Sequence, residues 1–389
     1  MGGIVKSLSL LAEGLAKIVQ NITVFTTNAN PLGQPLDVPK NTEVNVDGVK
    51  VWYFPVQFFK KKFFYSPELR SACYKKINDF DLLHIVSFWG YPGIPARKAA
   101  IKHNIPYILS THGTLNPTYS LRHKTFKKEL YLWLFERETL RHAAAIHYTC
   151  DLEMQSTHKY NRLTNPFFIV PNPVVINQSN LYPNKEEAKK QLSLRTDSHV
   201  ISFIGRLHRI KALDVLISAF SQISQVVENS YLLIAGADDG DESRLRQLTN
   251  KYGLSNTVRF LGFADEERKR LILGASDLFW LASHGENFGC SAVEAMAARV
   301  PVILSENVGI CSDVLADNAG IVVSHDPKDV TKNITTLLKN EPLLKIMSKK
   351  AFISASKYCQ SDVSKQMLLA YQNVIRRFSS ESERSFFCF

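Results

Sequence analysis

Apolar residues recur at Val5, Leu8, Ala12, Leu15 and Val19, three and four positions apart, so the chain is predicted to open with an amphipathic helix. A β-rich run at residues 22–27 follows, and similar short runs recur at 82–87, 107–110, 145–149 and 167–170. Helical stretches such as residues 125–142 lie among them. This alternation predicts a parallel sheet covered by helices. A second series begins after Pro171-Asn172-Pro173, whose prolines neither continue a helix nor sit in a central strand. Strands are predicted there at 199–205, 231–235, 258–261, 278–282, 301–304 and 321–323, with helices starting at Leu213, Glu242, Glu266, Ala292 and Asp329. The expected class is therefore α/β, with two doubly wound, Rossmann-like domains at residues 1–175 and 176–360. A C-terminal helix over 362–378 is expected to pack back on the first domain within the segment 361–389, and residues 379–389 read as a tail without a clear role. A doubly wound sheet ordinarily begins strand, glycine turn, helix. This sequence starts on the turn, at Met1-Gly2-Gly3, so the first strand is expected to be missing.

A length of 389 residues suits two domains, and 45% apolar with 21% charged residues places the chain among globular proteins. No apolar run approaches the roughly 20 residues that span a bilayer, and the opening stretch is interrupted by Lys6, Glu13 and Lys17, so neither a membrane span nor a signal peptide is predicted. The six cysteines are scattered with no C-x-x-C pair, which argues against a disulfide framework or metal cage and points to a reducing, cytoplasmic location. In that setting the N-x-S/T matches at Asn21, Asn177 and Asn333 are read as chance.

Charge is uneven. Residues 1–175 carry 21 Lys+Arg against 12 Asp+Glu, most of the net +11. The run Phe58-Phe59-Lys60-Lys61-Lys62-Phe63-Phe64-Tyr65 interleaves aromatics with lysines, a pattern that fits either the headgroup layer of an anionic membrane or a solvated loop with core aromatics. Nucleic acid is not an expected partner, because the basic half shows no recognised reading motif.

The densest chemical signal is S-H-G-E-N-F-G-C-S-A-V-E-A-M-A, residues 283–297, which follows a predicted strand and opens a helix. Amides at a helix start lie at the positive end of its dipole and suit a phosphate. Those near Phe288 to Cys290 are so placed, and Gly289 admits close approach. Glu286 precedes the helix and Glu294 lies inside it, so each carboxylate is placed to grip a different part of one ligand through charged hydrogen bonds. The competing structural reading is a capping Glu286 and a solvated Glu294. A second motif, F-I-G-R-L-H-R-I-K-A-L-D at 203–214, puts Arg206 and Lys211 just after a strand. A third, Y-I-L-S-T-H-G-T-L-N-P at 107–117, puts His112 at another strand end.

Together these motifs resemble glycosyltransferase family 4, retaining enzymes of the two-domain GT-B fold marked by Glu-x7-Glu. The resemblance covers nearly the whole chain. It implies that Glu286 contacts the donor sugar and assists the departing bond, that Glu294 binds the ribose hydroxyls, and that the segment Asn287, Phe288, Gly289 and Cys290 holds sugar and phosphate. It further implies that Arg206 and Lys211 neutralise the donor diphosphate, that His112 reaches the donor sugar across the interdomain cleft, and that Gly2 and Gly3 correspond to glycines near the transferred group. Arg122, Lys124, Lys127 and Lys128 are candidates for an anionic acceptor, against a solvated helix face. The implied donor is a nucleotide sugar, UDP- or GDP-linked. The implied acceptor is a glycan or lipid-linked molecule, with a role in cell-surface polysaccharide synthesis and peripheral contact with the inner face of the cytoplasmic membrane. No cofactor and no metal are expected: Asp79-Phe80-Asp81 is formally a D-x-D but precedes a strand in the wrong kind of domain, and Asp238-Asp239-Gly240-Asp241 lacks the later Glu of a calcium loop. Ala212 and Arg299 depart from the family, which usually has glycine at both positions. With the missing strand, they keep two rivals open: a catalytically silent relative, and a sugar-nucleotide epimerase on the same architecture.

Overall fold

The computed structural model describes residues 3–30, 33–57, 63–86, 90–116, 131, 135–176 and 182–385. The chain divides into two units, Met1–Pro173 with Gln360–Phe389, and Val174–Cys359.

In the first unit, strands β1 (Thr23–Thr27), β2 (Glu43–Val46) and β3 (Val49–Phe54) form one sheet in the order β1-β3-β2. Strands β4 (Leu83–Ile85), β5 (Tyr107–Ser110), β6 (Ala145–Tyr148) and β7 (Phe167–Ile169) form a second, all-parallel sheet in sequence order. The described chain enters helix Gly3–Ala16 with no strand before it, and β1 and β4 are each the edge of their sheet. All five β1 residues are accordingly only half-buried, whereas all four of β5 are buried. A shared cluster spans both sheets: Phe54, Leu69, Cys73, Ile77 and Ala99, with Phe25, Trp52 and Leu83 packed against it.

Two sequence expectations are corrected here. The antiparallel pair β2–β3 was not predicted; it turns at Asp47 (φ 51) and Gly48 (φ 87), an Asp-Gly pair suited to a two-residue hairpin in which both central residues take positive φ. The buried seam of helix Gly3–Ala16 is Ser7, Leu11, Gly14 and Leu15, while Val5 is 51% exposed and Val19 lies beyond the helix. Small residues set that seam because it meets helix Gln360–Ser385 closely: a Cβ on Gly14 would lie 2.1 Å from Ser364 Oγ. Leu11, Leu15, Val170, Val363 and Met367 form the apolar contact, and Gln360 Nε2 donates to the Leu10 carbonyl at 2.7 Å. The C-terminal helix runs to Ser385, past the predicted end at 378.

A buried polar chain crosses the second sheet. His147 Nε2 lies 2.7 Å from the Val170 carbonyl, which only accepts, so that nitrogen carries the proton. Neutral His147 then accepts at Nδ1 from Ser110 Oγ (2.6 Å), Ser110 accepts from His84 Nε2 (2.5 Å), and His84 Nδ1 accepts from Tyr371 O–H (2.6 Å). In this arrangement both imidazoles are neutral. Burial, reinforced by the neighbouring histidines, pushes His84 well below its usual range, and burial pushes His147 down to about 4. An unfolded imidazole titrates near 6.5, so between these values the unfolded chain binds more protons and stability falls as pH falls. Acidification from pH 7 to 5.5 is expected to cost roughly 1 kcal/mol for His147, above the range where most carboxylates titrate. Urea unfolding at the two pH values measures the loss, and His147→Gln is expected to shrink it.

The second unit is one parallel sheet of six strands, β8 (His199–Ile204), β9 (Ser230–Ala235), β10 (Val258–Gly262), β11 (Leu278–Leu281), β12 (Val302–Leu304) and β13 (Gly320–Val322), in the order β10-β9-β8-β11-β12-β13. Its inner strands are largely apolar, as in a parallel sheet covered by helices; all of Leu278–Leu281 is buried. Helices Lys185–Gln191, Cys311–Asp317 and Glu341–Ser356 were not predicted. Two of them carry readable caps: Asn184 accepts from Glu187 N–H, and Asn340 accepts from Leu343 N–H with Pro342 in the first turn.

Candidate active site

The strand order reverses between β8 and β11, and the crevice at the carboxyl ends of strands flanking such a reversal is where open α/β sheets bind ligands. The loops that leave these strands carry the second and first motifs. After β8, Gly205 packs backbone to backbone on Gly236, where a Cβ would fall 1.6 Å from the Gly205 carbonyl oxygen. Leu207 N–H then donates to Ala237 O (2.9 Å) and Asp239 N–H to Leu207 O (3.1 Å), fixing the stretch that bears Arg206. A short turn, Arg209–Lys211, ends at Ala212 with φ 51, so the left-handed turn survives without glycine. Trp280 Nε1 donates to the Lys211 carbonyl at 3.3 Å and anchors that turn to β11.

After β11 the chain runs extended. Glu286 N–H donates to Asn307 O (2.9 Å), Gly309 N–H to Glu286 O (3.0 Å) and Ile310 N–H to Phe288 O (3.2 Å). Gly289, at φ 107, is the residue before helix Cys290–Ala297, and a Cβ there would press on Val308 and Leu281 at 3.1 and 3.3 Å. Phe288 is 3% exposed and meets Tyr358 edge to face at 5.5 Å, so its side chain belongs to the core and only its backbone faces the loop.

The charged residues pair off. Lys211 Nζ bonds the Glu286 carboxylate, with the two side chains 13% and 23% exposed. Arg206 pairs with Asp239 at the surface. Lys269 Nζ lies 3.0 and 3.2 Å from the two oxygens of Glu294 and 3.0 Å from Glu266. Lys269 was not singled out in the sequence, and Asp239 was weighed only as part of a calcium-loop pattern. They are reached from other loops and helices, 25 and 33 residues from their partners, and no local pattern marks them. Asp238 proves a turn former, accepting from the N–H groups of Gly240, Asp241 and Glu242. Arg299 takes φ 62, and its guanidinium sits 4.4 Å from the Phe352 ring centroid.

The structure thus gathers Arg206, Lys211, Glu286–Gly289, Cys290 and Glu294 at one end of the second unit. His112 stands in the first unit, at the end of β5, with φ 44. Both its ring nitrogens are buried with no hydrogen-bond partner among the described residues. Burial lowers its pKa, partly offset by the Glu153 carboxylate, so the imidazole is neutral near pH 7. Gly3 begins the first helix with open space around it. Gly2, Lys60, Lys61, Lys62, Arg122, Lys124, Lys127 and Lys128 lie outside the described residues. Among the described residues no cluster of three or more His, Cys, Asp or Glu is gathered for a metal, and no helix is long and apolar enough to cross a membrane.

Two α/β units, the second carrying a helix start, cations and paired carboxylates at a strand-order reversal, fit the GT-B class. Residues 184–353 match the family described as "Glycosyl transferases group 1", and residues 2–173 match the "Glycosyl transferase 4-like domain". The chain belongs to the group 1, GT4-type glycosyltransferase family. It is 29% identical over 180 residues to the D-inositol 3-phosphate glycosyltransferase of Corynebacterium jeikeium, covering 44% of this chain and 43% of that protein. To the Mycolicibacterium smegmatis protein of the same name it is 27% identical over 206 residues, covering 52% and 46%. The matched stretch therefore spans less than half the length of these relatives. Among solved structures, sucrose-phosphate synthase from Thermosynechococcus elongatus aligns with TM-score 0.77 at 20% identity, covering 97% of this chain and 94% of that one. HepE from Anabaena, in complex with UDP and glucose, aligns with TM-score 0.72 at 18% identity, covering 96% of each chain. These structures share the fold.

Proposed function

We propose that the chain transfers a sugar from a nucleotide-sugar donor to a glycan or lipid-linked acceptor, with retention at the anomeric carbon. The observation that carries this reading is the convergence of Arg206, Lys211, Glu286, Glu294 and the start of helix Cys290–Ala297 on the strand-order reversal of one unit. UDP is the favoured nucleotide of the donor, since HepE, of like fold, is solved with UDP and glucose.

In this reading the diphosphate lies against the helix start, where the dipole and first-turn amides favour negative charge. Arg206 and Lys211 stabilise the charge that grows on the leaving oxygen, already fixed in place by the loops after β8. The acceptor hydroxyl attacks from the leaving-group face. Its oxygen bonds to the anomeric carbon as the carbon–phosphate-oxygen bond breaks, and its proton passes to the departing phosphate oxygen. Neutral His112 and Glu286 contact the sugar, and Glu294 takes the ribose hydroxyls. Two fixed cations and a helix terminus meet the leaving group's charge, so the reading assigns no metal. A role in cell-surface polysaccharide synthesis at the cytoplasmic face of a membrane fits a lipid-linked acceptor and the basic first half of the sequence.

The test is thermal unfolding of the intact chain with a panel of UDP-, GDP- and ADP-sugars. A ligand at about 100 times its Kd adds roughly 2.7 kcal/mol, so sugars on one base are expected to raise the transition by several degrees. A panel that leaves the transition unmoved contradicts the reading.

A further inference from the structure

Glu153 takes no part in the chemistry above, yet it is a buried carboxylate of the first unit that accepts four hydrogen bonds. It is 1% exposed and is the third residue of helix Asp151–Asn161. Its Oε1 accepts from Thr111 Oγ1 at 2.7 Å and from Gly113 N–H at 2.6 Å, and its Oε2 accepts from the N–H and Oγ1 of Thr149, both at 2.7 Å. Thr111 and Gly113 are the two neighbours of His112. The same helix holds the loop a second time, through Asn116 Nδ2 and Ser156 Oγ at 2.9 Å.

His112 needs such support. At φ 44 it occupies the left-handed region, which costs a non-glycine residue roughly 1–3 kcal/mol and persists only where the surroundings over-determine it. Its own ring gives no anchorage, because neither nitrogen has a hydrogen-bond partner among the described residues. The conformation is held from both sides, by the Thr111 hydroxyl and the Gly113 N–H, and these short hydrogen bonds to a carboxylate are of the stronger, charge-assisted kind.

We propose that Glu153 is a positioning residue for His112: by gripping Thr111 and Gly113 together it fixes the direction in which the imidazole presents its nitrogens to the transferred sugar. The inference rests on the reading of His112 as a sugar contact. Glutamine at 153 keeps the shape but replaces one oxygen with an NH2 group, so whichever oxygen is lost, a backbone N–H of Gly113 or Thr149 faces another donor and the threonine hydroxyl beside it must turn to accept. Valine at 111 removes one arm of the grip and leaves the other three bonds.

The experiment uses the full chain with Glu153→Gln and Thr111→Val, each alone and combined with His112→Ala, after thermal unfolding has shown each variant folded. Diethylpyrocarbonate labelling, read residue by residue by mass spectrometry, reports access to His112, with His142, whose side chain is 42% exposed, as internal reference. His112 is expected to react several-fold faster in both single variants while His142 is unchanged. With UDP-glucose as probe, Glu153→Gln is expected to lower kcat roughly 10- to 100-fold with KM nearly constant, since small misplacement of a contact group costs that much, and to add nothing further in the His112→Ala background. A purely structural Glu153 would lower stability without these signatures. Unchanged His112 reactivity in both single variants overturns the proposal, as does a Glu153→Gln loss that persists in full without His112. If His112→Ala alone leaves turnover intact, the sugar contact is refuted, and the labelling still decides whether Glu153 holds the loop.

Discussion

Replacing Arg206 or Lys211 with alanine is expected to lower turnover roughly 100-fold or more while the protein stays folded, because in the proposed mechanism each change deletes a cation that meets charge developing as the donor bond breaks. The two variants differ in their side effects. Arg206 is 69% exposed and its pairing with Asp239 lies at the surface, so its removal is expected to leave stability nearly unchanged. Lys211 is 13% exposed, and its removal leaves Glu286 without the cation it bonds in the structure, so a modest loss of stability accompanies the kinetic effect. Steady-state kcat and denaturant unfolding on the same preparations separate the two contributions. Near-normal turnover in both variants would remove these residues from the leaving-group site.

The second large effect divides the two glutamates. Glu294→Ala is expected to weaken binding of free UDP by about 10-fold or more, since a hydrogen bond to a charged group is worth roughly 1.5–3 kcal/mol. The fold should tolerate the change: Lys269, which bonds Glu294, also lies 3.0 Å from Glu266 and keeps that partner. Glu286→Ala is expected to act in the opposite way. Glu286 holds the Lys211 ammonium, so it competes with a diphosphate for the same cation. Its loss is expected to leave UDP affinity unchanged or slightly tighter, while turnover falls because the proposed sugar contact is gone. Calorimetric titration of UDP into both variants checks the division; equal affinities in the two variants and the parent would end the separate assignment of the carboxylates.

Much of this site was legible because its parts are contiguous in sequence. A strand, a short loop with glycine and a helix start put Glu286 to Glu294 in one place by local geometry alone, and the same holds for Gly205 to Lys211 after β8. The alternation of apolar runs with helical segments likewise carried the α/β class. What the sequence hid depends on distant partners. Lys269 and Asp239 look like any surface charge until folding brings them to Glu294 and Arg206. The seam of the first helix was misplaced because apolar periodicity gives no weight to Ser7 and Gly14, both buried, and Gly14 is packed against a helix more than 340 residues away. The β2–β3 hairpin did carry a local signal in Asp47-Gly48, and an expectation of purely parallel strands passed over it. Ala212 and Arg299 show the reverse case, where the departure from glycine was visible but its outcome was not: both residues simply accept positive φ, and Arg299 is steadied by its stacking on Phe352.

The central claim is that this chain breaks the anomeric bond of a nucleotide sugar and does not merely hold the nucleotide. The most direct measurement is release of nucleoside diphosphate from UDP-glucose and from the other sugars of the panel by the intact chain, with water or added acceptor receiving the sugar and with the Arg206→Ala, Lys211→Ala double variant as control. The account predicts release from donors of one base class, at least about 100-fold faster than from the double variant. Saturable nucleotide-sugar binding with release no faster than in that variant would contradict it, and would make the chain a binding relative of the transferases whose fold it shares.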